Sequence, residues 1–312
     1  MLGDPGPEGT HSGPAVAPLY TLVHKSPRAG GLPPMTGEFL LASEAALRLS
    51  AFLGVFVLML ALETLWPCRP RSLSRRRRWP ANLGILALDS AAVRALFPTA
   101  AVGVAAWADG AGHGLLQVLA APGWLAFVGT VIVLDLVIYA QHVAFHYVPP
   151  LWRVHRMHHA DVDVDVTTGG RFHPIEIVLS MGLKVLAVIA LGAPPAAVLV
   201  FEVLLNGTSM FNHANLHLPP ALDRVLRWIL VTPDMHRVHH SVVPRETNSN
   251  FGFNLPWWDR LFRTYRQAPE AGYEAMTTGL AEFRQLEESG LGHLLTQPFR
   301  ESRRDGRRDA DR

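Results

Sequence analysis

Four histidine boxes, set between strongly apolar segments, constrain this chain more than any other feature. Ten of its fifteen histidines fall into two repeats, each an HxxxH box followed by an HxxHH box. The ten residues are His142, His146, His155, His158, His159, His213, His217, His236, His239 and His240. Residues three or four apart lie on one side of an α-helix, so each box is expected to present its imidazoles in a common direction.

Ten clustered imidazoles predict a metal centre rather than ordinary core histidines. Neutral imidazole is a common ligand of iron, zinc and copper. A zinc ion takes about four protein ligands at most, whereas ten histidines are enough for two ions with five ligands each. The single cysteine, Cys68, excludes an internal disulfide and a cysteine-based zinc or iron–sulfur site.

The apolar segments predict a membrane protein. Hydrophobic residues make up 49% of the chain, and the mean hydropathy is positive. Five segments are apolar enough to be helices in a bilayer, whose core takes roughly 20 residues to cross. They are residues 46–66, 82–107 and 124–142, and the two arms of a helical hairpin, residues 175–191 and 196–210. The expected fold class is all-α, a polytopic membrane helical bundle of about three full spans plus the hairpin.

Charge distribution predicts the orientation of this bundle. The net charge is only +2, but six arginines lie in the loop expected between the first two spans: Arg69, Arg71 and Arg75 to Arg78. A short arginine run between apolar spans indicates a cytoplasmic loop more often than a nucleic-acid patch, so no nucleic-acid partner is expected. By alternation of the spans, both histidine repeats emerge on the cytoplasmic side as a His-rich metal-binding cap.

Three further residues are candidates for the site. Asp135 and Tyr139 continue the helical stripe of His142 and His146. An aspartate at bilayer depth is costly unless it has a function, and we expect it to accept a hydrogen bond from a ligand imidazole. A buried pair with a tyrosine or an arginine is the alternative. His173 is open to three interpretations: an additional ligand, a substrate-gate residue or a hydrogen-bonding neighbour of a ligand.

In their order and spacing, these motifs resemble the fatty acid hydroxylase / sterol desaturase superfamily. The resemblance covers about residues 79–266. Besides the histidine boxes it includes His173-Pro-Ile-Glu176, Thr232-Pro233, Asn250-Phe-Gly252 and Trp258-Asp259-Arg260-Leu-Phe. Two positions depart from the family pattern: Val143, where many members have arginine, and Arg263, where glycine is usual.

The resemblance implies an enzyme, a membrane-bound non-haem di-iron oxidoreductase without catalytic residues beyond its metal ligands. It would hydroxylate or desaturate a C–H bond of a lipid, sterol or isoprenoid drawn from the bilayer. The implied cofactors are two iron ions, O₂ and an external, NAD(P)H-linked electron donor that acts through a separate redox partner protein.

The expected organisation has four parts. Residues 1–38 form a disordered leader and residues 39–118 the N-terminal membrane spans. Residues 119–266 form the fatty acid hydroxylase-like catalytic domain, and residues 267–312 a polar C-terminal tail.

Two other functions are compatible with a histidine-rich membrane protein. A His-lined metal transporter would need ligands spread along a transmembrane route, whereas these boxes gather at one edge. A zinc hydrolase is the second alternative, although the chain has no HExxH motif.

Overall fold

The structure is a computed structural model that describes residues 43–301. The expected leader and residues 302–312 lie outside that range. Between residues 43 and 301 the regular structure is helical, and the only β-pairing there is two isolated bridges. The predicted all-α class is therefore confirmed. The α-helices are α1 Glu44–Leu65, α2 Arg75–Leu96, α3 Ala100–Gly110, α4 Leu115–Val118, α5 Gly123–Tyr147, α6 Pro149–His159, α7 Pro174–Leu191, α8 Pro195–His213, α9 Pro220–Leu226, α10 Pro233–His239, α11 Pro244–Thr247, α12 Trp257–Leu261, α13 Gly272–Ala275 and α14 Leu291–Thr296.

The membrane-embedded part is built from long apolar helices. Four stretches are long and apolar enough to cross a bilayer: Glu44–Leu65, Arg75–Val118, Gly123–Tyr147 and Pro174–Leu191. Large apolar side chains on α1, among them Leu53 and Val57, are exposed on the outer surface of the bundle. In water such a surface would be unfavourable, whereas lipid tails cover it without cost.

The second span differs in detail from the expectation. Its helix begins at Arg75 and ends at Leu96, and the chain resumes as a helix at Ala100. The interruption includes Pro98, because proline lacks a backbone N–H and clashes with the preceding helical turn. The arginines at 75 to 78, expected in a loop, instead form the first turn of α2, where Arg78 makes the buried ion pairs described below.

Helices α3, α5, α7 and α8 share the main apolar core. Its fully buried members include Val102, Leu134, Val188 and Phe201. Helix α7 ends at Leu191 and is followed by Gly192, whose φ of 64° belongs to the left-handed region that favours glycine. This turn returns the chain along α8 and brings the end of α8 back to the side from which α7 began.

The region expected as a polar tail is partly folded onto the bundle. Leu294 of α14 is fully buried and packs against Ala81, Ile85 and Met157. The backbone oxygen of Gln297 accepts a hydrogen bond from Arg156 on α6 at 2.7 Å. Residues 268–301 therefore cover α2 and α6, since one apolar side of a short helix is enough to anchor an otherwise polar segment.

Candidate metal centre

Nine buried histidines converge into two groups. Within each group, the nitrogens that could bind a metal lie within 4.8 Å of one another. We call the first the five-histidine group: His142, His146, His155, His159 and His239. The second is the four-histidine group: His158, His213, His236 and His240. The two groups adjoin, because the rings of His159 and His240 stack with their centroids 4.6 Å apart.

Helical pitch explains how the two HxxHH boxes divide. On α6, His155 and His159 are four residues apart, share one face and join the five-histidine group, whereas His158 points to the other group. The second HxxHH box, at the end of α10, divides the opposite way. His239 joins the five-histidine group, whereas His236 and His240 belong to the four-histidine group. Each box therefore contributes to both groups and connects them.

Hydrogen-bond acceptors outside the cluster determine which ring nitrogen carries the proton in five of these histidines. In each pair a ring Nδ1 lies 2.7–3.1 Å from an oxygen. The pairs are His142 with Phe251 O, His155 with Glu176 Oε1, His158 with Arg171 O, His213 with Ser209 O and His239 with Ser249 O. A carbonyl oxygen can only accept, so in the four histidines that face backbone carbonyls Nδ1 carries the hydrogen and Nε2 presents a bare lone pair. The Glu176 carboxyl imposes the same tautomer on His155 when it is ionised.

These lone pairs face each other at close range. His142 Nε2 lies 3.1 Å from His155 Nε2, and His158 Nε2 lies 3.1 Å from His213 Nε2. Two lone pairs at this distance repel unless a cation lies between them. An ion bonded to both nitrogens at about 2.1 Å, at right angles, would hold them about 3.0 Å apart. The donor set therefore fits metal ions.

Unpartnered nitrogens and depressed basicity support the same conclusion. The Nε2 atoms of His146 and His239 are buried and have no hydrogen-bond partner among the described residues. Burial lowers the pKa of His155 to about 3. Burial, reinforced by neighbouring imidazoles, also lowers the pKa well below its usual value in His158, His159, His236, His239 and His240. These rings are neutral at pH 7, the form that binds a metal.

His217 is the one histidine of the four boxes that the structure does not bring to the cluster. Helix α8 ends at His213, and Ala214 has extended backbone angles. The backbone N–H of His217 donates to Trp66 O at 3.0 Å, and its side chain is exposed. Spacing of four residues aligns side chains only within a helix, so the HxxxH expectation does not hold across a helix end.

His173 lies beside the cluster rather than in it. Its Nδ1 accepts a hydrogen bond from the N–H of Ile175 at 3.2 Å and so caps the start of α7. Its Nε2 lies 3.2 Å from the backbone oxygen of Leu295. Both ring nitrogens therefore have partners, one at the start of α7 and the other in α14.

Asp135 and Tyr139 hold the segment that follows the second histidine repeat. Asp135 accepts hydrogen bonds from Trp258 Nε1 at 2.8 Å and from the N–H of Leu255 at 3.3 Å. The Tyr139 hydroxyl lies 2.8 Å from that of Thr264. The expected hydrogen bond from a ligand imidazole to Asp135 is not what the structure shows, nor is the alternative pair with a tyrosine or an arginine.

The carboxylates that do support the ligands are Glu176 and Asp259. Glu176 Oε1 lies 2.7 Å from His155 Nδ1. Asp259 accepts hydrogen bonds from the backbone N–H groups of Phe251 at 2.8 Å and Gly252 at 2.9 Å, which positions the Phe251 carbonyl against His142. Both acids belong to motifs that the sequence shows, His-Pro-Ile-Glu and Trp-Asp-Arg-Leu-Phe, but the motifs alone assign them no role.

A buried ion-pair network ties α2 to the chain that follows α6. Arg78 donates to both carboxylate oxygens of Asp161, at 2.7 and 2.8 Å, and to Asp165 at 2.8 Å. Arg171, 3.5 Å from Asp161, donates to Met157 O at 3.2 Å. Burial opposes ionisation of Asp161, but Arg78 and Arg171 outweigh it and hold the pKa of that carboxyl below its usual value. The network therefore positions the Arg171 carbonyl that orients a ligand.

Among helices α2, α5, α7 and α8 lies a cavity of about 360 Å³ that reaches the five-histidine group. His142 and Glu176 line it beside the apolar side chains of Phe145, Phe172 and Phe253. This volume is near the lower end of the range typical of small-molecule sites, about 300–1,000 Å³. The cavity therefore joins the histidines to the membrane-embedded part of the bundle.

Residues 127–264 match the fatty acid hydroxylase family. Among curated proteins, the chain is 34% identical over 143 residues to ornithine lipid hydroxylase OlsE of Rhizobium tropici, covering 44% of this chain and 42% of that protein. It is 33% identical over 147 residues to alkylglycerol monooxygenase of Xenopus tropicalis, covering 46% of this chain and 30% of that protein. It is 28% identical over 139 residues to rat cholesterol 25-hydroxylase, covering 44% of this chain and 45% of that protein. The matched region thus spans less than half the length of each of these relatives, and no solved structure matches.

Proposed function

We propose that this chain, whose residues 127–264 match the fatty acid hydroxylase family, is a member of the fatty acid hydroxylase / sterol desaturase superfamily and an O₂-dependent membrane oxidoreductase that hydroxylates a C–H bond of a lipid. Sterols and isoprenoids are included in this substrate class, and desaturation is the variant outcome. One observation carries the proposal: two adjoining groups of buried imidazoles point bare lone pairs inward at the end of a cavity among membrane helices.

The ligand set of the proposal consists of the nine grouped histidines, with two iron ions as the metal. Nine neutral nitrogens exceed what one zinc ion takes, and imidazole suits iron. Two iron ions held there would supply electrons to O₂ for oxidation of an unactivated C–H bond. Hydroxylation consumes O₂, two electrons and two protons, and yields the alcohol and water, so a two-electron donor is required.

The chain itself contributes positioning, neutral ligands and exclusion of water. The carbonyls of Phe251 and Ser249 and the Glu176 carboxylate hold three rings of the five-histidine group in the ligating tautomer. Phe145, Phe172 and other apolar residues line the cavity, where an acyl or isoprenoid chain would pack.

We further propose that the cluster faces the cytoplasm, where an NAD(P)H-linked redox partner protein would deliver the electrons. Arg78, at the arginine-rich start of α2, contacts Asp161, two residues beyond His159. The arginine run and the histidine groups therefore occupy the same end of the bundle. Arginine-rich segments next to membrane spans favour the cytoplasmic side.

The test uses the full chain purified in detergent, with metal content and product measured on the same preparations. His158→Ala and His239→Ala each remove one proposed ligand, and His113→Ala and His217→Ala remove exposed histidines as matched controls. We expect about two iron ions per chain in the unaltered protein and in both controls, and a loss of iron in the two ligand variants.

Product is measured by lipidomics of cells with and without the gene, in air and without oxygen. A mass shift of +16 indicates hydroxylation and a shift of −2 desaturation. Full O₂-dependent activity in His239→Ala would refute the ligand assignment. Metal uptake into vesicles without an oxidised lipid would favour a transporter, and product formed without O₂ would favour a zinc hydrolase.

A further inference from the structure

One carboxylate on the cavity wall has no partner. Asp89 of α2 is 4% exposed and lines the cavity, and neither of its oxygens has a hydrogen-bond partner among residues 43–301. A buried carboxylate without a donor is costly in a protein interior and more so at bilayer depth. A group at such a depth is therefore expected to have a function.

The other ionisable groups on this wall are engaged. Lys184 Nζ lies 2.6 Å from Glu202, and Arg48 pairs with the same carboxylate. His142 donates to Phe251 O, and Glu176 Oε1 accepts from His155. Asp89 is thus the one ionisable side chain lining the described cavity that lacks any hydrogen bond.

The wall near Asp89 is rich in unused acceptors. Glu176 Oε2 and Gln141 Oε1 also line the cavity, are buried and have no donor among the described residues. Glu176 lies close enough to Asp89 for the two carboxylates to interact electrostatically. Four buried acceptor oxygens on the cavity lining therefore lack a hydrogen-bond partner within residues 43–301, and N–H or O–H groups of a ligand would satisfy them.

Charge narrows the class of that ligand. Three acidic side chains line the cavity, those of Asp89, Glu176 and Glu202, together with two basic ones, Arg48 and Lys184. Both basic side chains pair with Glu202, so Asp89 and Glu176 have no cationic partner among the described side chains that line the cavity. A hydroxyl offers one donor and no charge, whereas an ammonium offers up to three donors and one positive charge.

We propose that Asp89 binds a cationic ammonium group of the lipid substrate and so selects amine-bearing lipids. Glu176 Oε2 and Gln141 Oε1 accept from the same group. This inference rests on the proposed function only in taking the cavity as the lipid site, and its test measures binding rather than turnover.

The test measures displacement of a fluorescent lipid from the purified full chain by three probes with the same alkyl chain: octadecylamine, N-acetyl-octadecylamine and octadecanol. The unaltered protein should prefer octadecylamine to both others by about tenfold or more, since hydrogen bonds to charged groups are worth about 10- to 100-fold in affinity. Asp89→Asn keeps the shape and removes the charge, so it should abolish the preference and leave octadecanol binding within about twofold.

Ser90→Ala is the matched control, because Ser90 also lines the cavity but its hydroxyl donates to the backbone oxygen of Leu86. It should retain the preference. Equal binding of the three probes to the unaltered protein, or an unchanged preference in Asp89→Asn, would overturn the inference. Equal binding of the three probes is measured on the unaltered protein alone. The inference can therefore be refuted even if Asp89→Asn fails to fold.

The proposed function and this inference fail separately. An Asp89-dependent preference in a protein that forms no O₂-dependent product supports the inference and contradicts the hydroxylase proposal. O₂-dependent product from lipids that lack an amine, with no amine preference in binding, supports the hydroxylase proposal and contradicts the inference about Asp89.

Discussion

The buried guanidinium of Arg78 offers the sharpest test of how the metal-binding helices are held. Its side chain is fully buried and makes three hydrogen bonds of 2.7–2.8 Å to the carboxylates of Asp161 and Asp165. Arg78→Met keeps much of the side-chain volume and removes the charge. Two buried carboxylates would then lose their principal cation.

The magnitude follows from the burial of this network. Removal of one partner from a buried ion pair destabilises a protein by about 3–5 kcal/mol. Asp161 keeps Arg171, 3.5 Å away, so we expect the lower half of that range. Each kcal/mol lowers the melting temperature of a domain of this size by about 2–4 °C, so the expected fall is about 6–16 °C.

The assay is the melting temperature in detergent, followed by fluorescence-detected gel filtration, with the metal content of the folded fraction. Arg77→Met is the matched control, because it removes the same charge from the same helical turn but its side chain is exposed. Any effect of an arginine on membrane topology is then common to both. A melting temperature of Arg78→Met within about 2 °C of the control would refute the assignment of this network as a structural anchor.

Three further predictions concern the groups around the ligands. Glu176→Gln weakens the acceptor of His155 and should reduce metal affinity by about 10- to 100-fold in chelator competition; unchanged affinity would contradict a role for this carboxylate in holding the ring. Asp259→Ala leaves two buried backbone N–H groups unpaired and should lower stability by about 2–4 kcal/mol, read as a melting temperature; a loss below about 1 kcal/mol would show that water replaces the carboxylate. The metal-free protein should lose stability as pH falls below about 6.5, because the unfolded chain then binds protons that the buried histidines do not. His155 alone, with a pKa lowered to about 3 by burial, should contribute about 1.4 kcal/mol of that loss between pH 7.5 and 5.5, and a melting temperature that rises over this interval would exclude it.

Local periodicity made much of the candidate site predictable. The HxxxH and HxxHH spacings place imidazoles on helix faces, which predicted that they would cluster. The expectation of one common direction for each box was wrong for the adjacent pair His158-His159, because neighbours on a helix diverge by about 100°. Long apolar runs predicted an all-α membrane bundle. These properties depend on residues a few positions apart, so the chain order is sufficient to determine them.

Other features depend on contacts between distant parts of the chain, which spacing does not encode. His217 fits the HxxxH pattern, but it lies beyond the end of α8 and its side chain faces outward. Arg263, where the family pattern has glycine, adopts a φ of 61°, which accounts for the glycine preference only once the backbone is known.

The sequence by itself determined the helical class, the membrane character and the set of imidazoles from which a metal centre could be built. Only the tertiary structure decided that nine of them meet as five and four, that Glu176 rather than Asp135 supports a ligand, and that Asp89 faces the cavity without a partner. The physical reason is the range of the interactions. Helical pitch acts over four residues, whereas the His142–Phe251 hydrogen bond joins positions 109 residues apart and exists only when the whole bundle has packed.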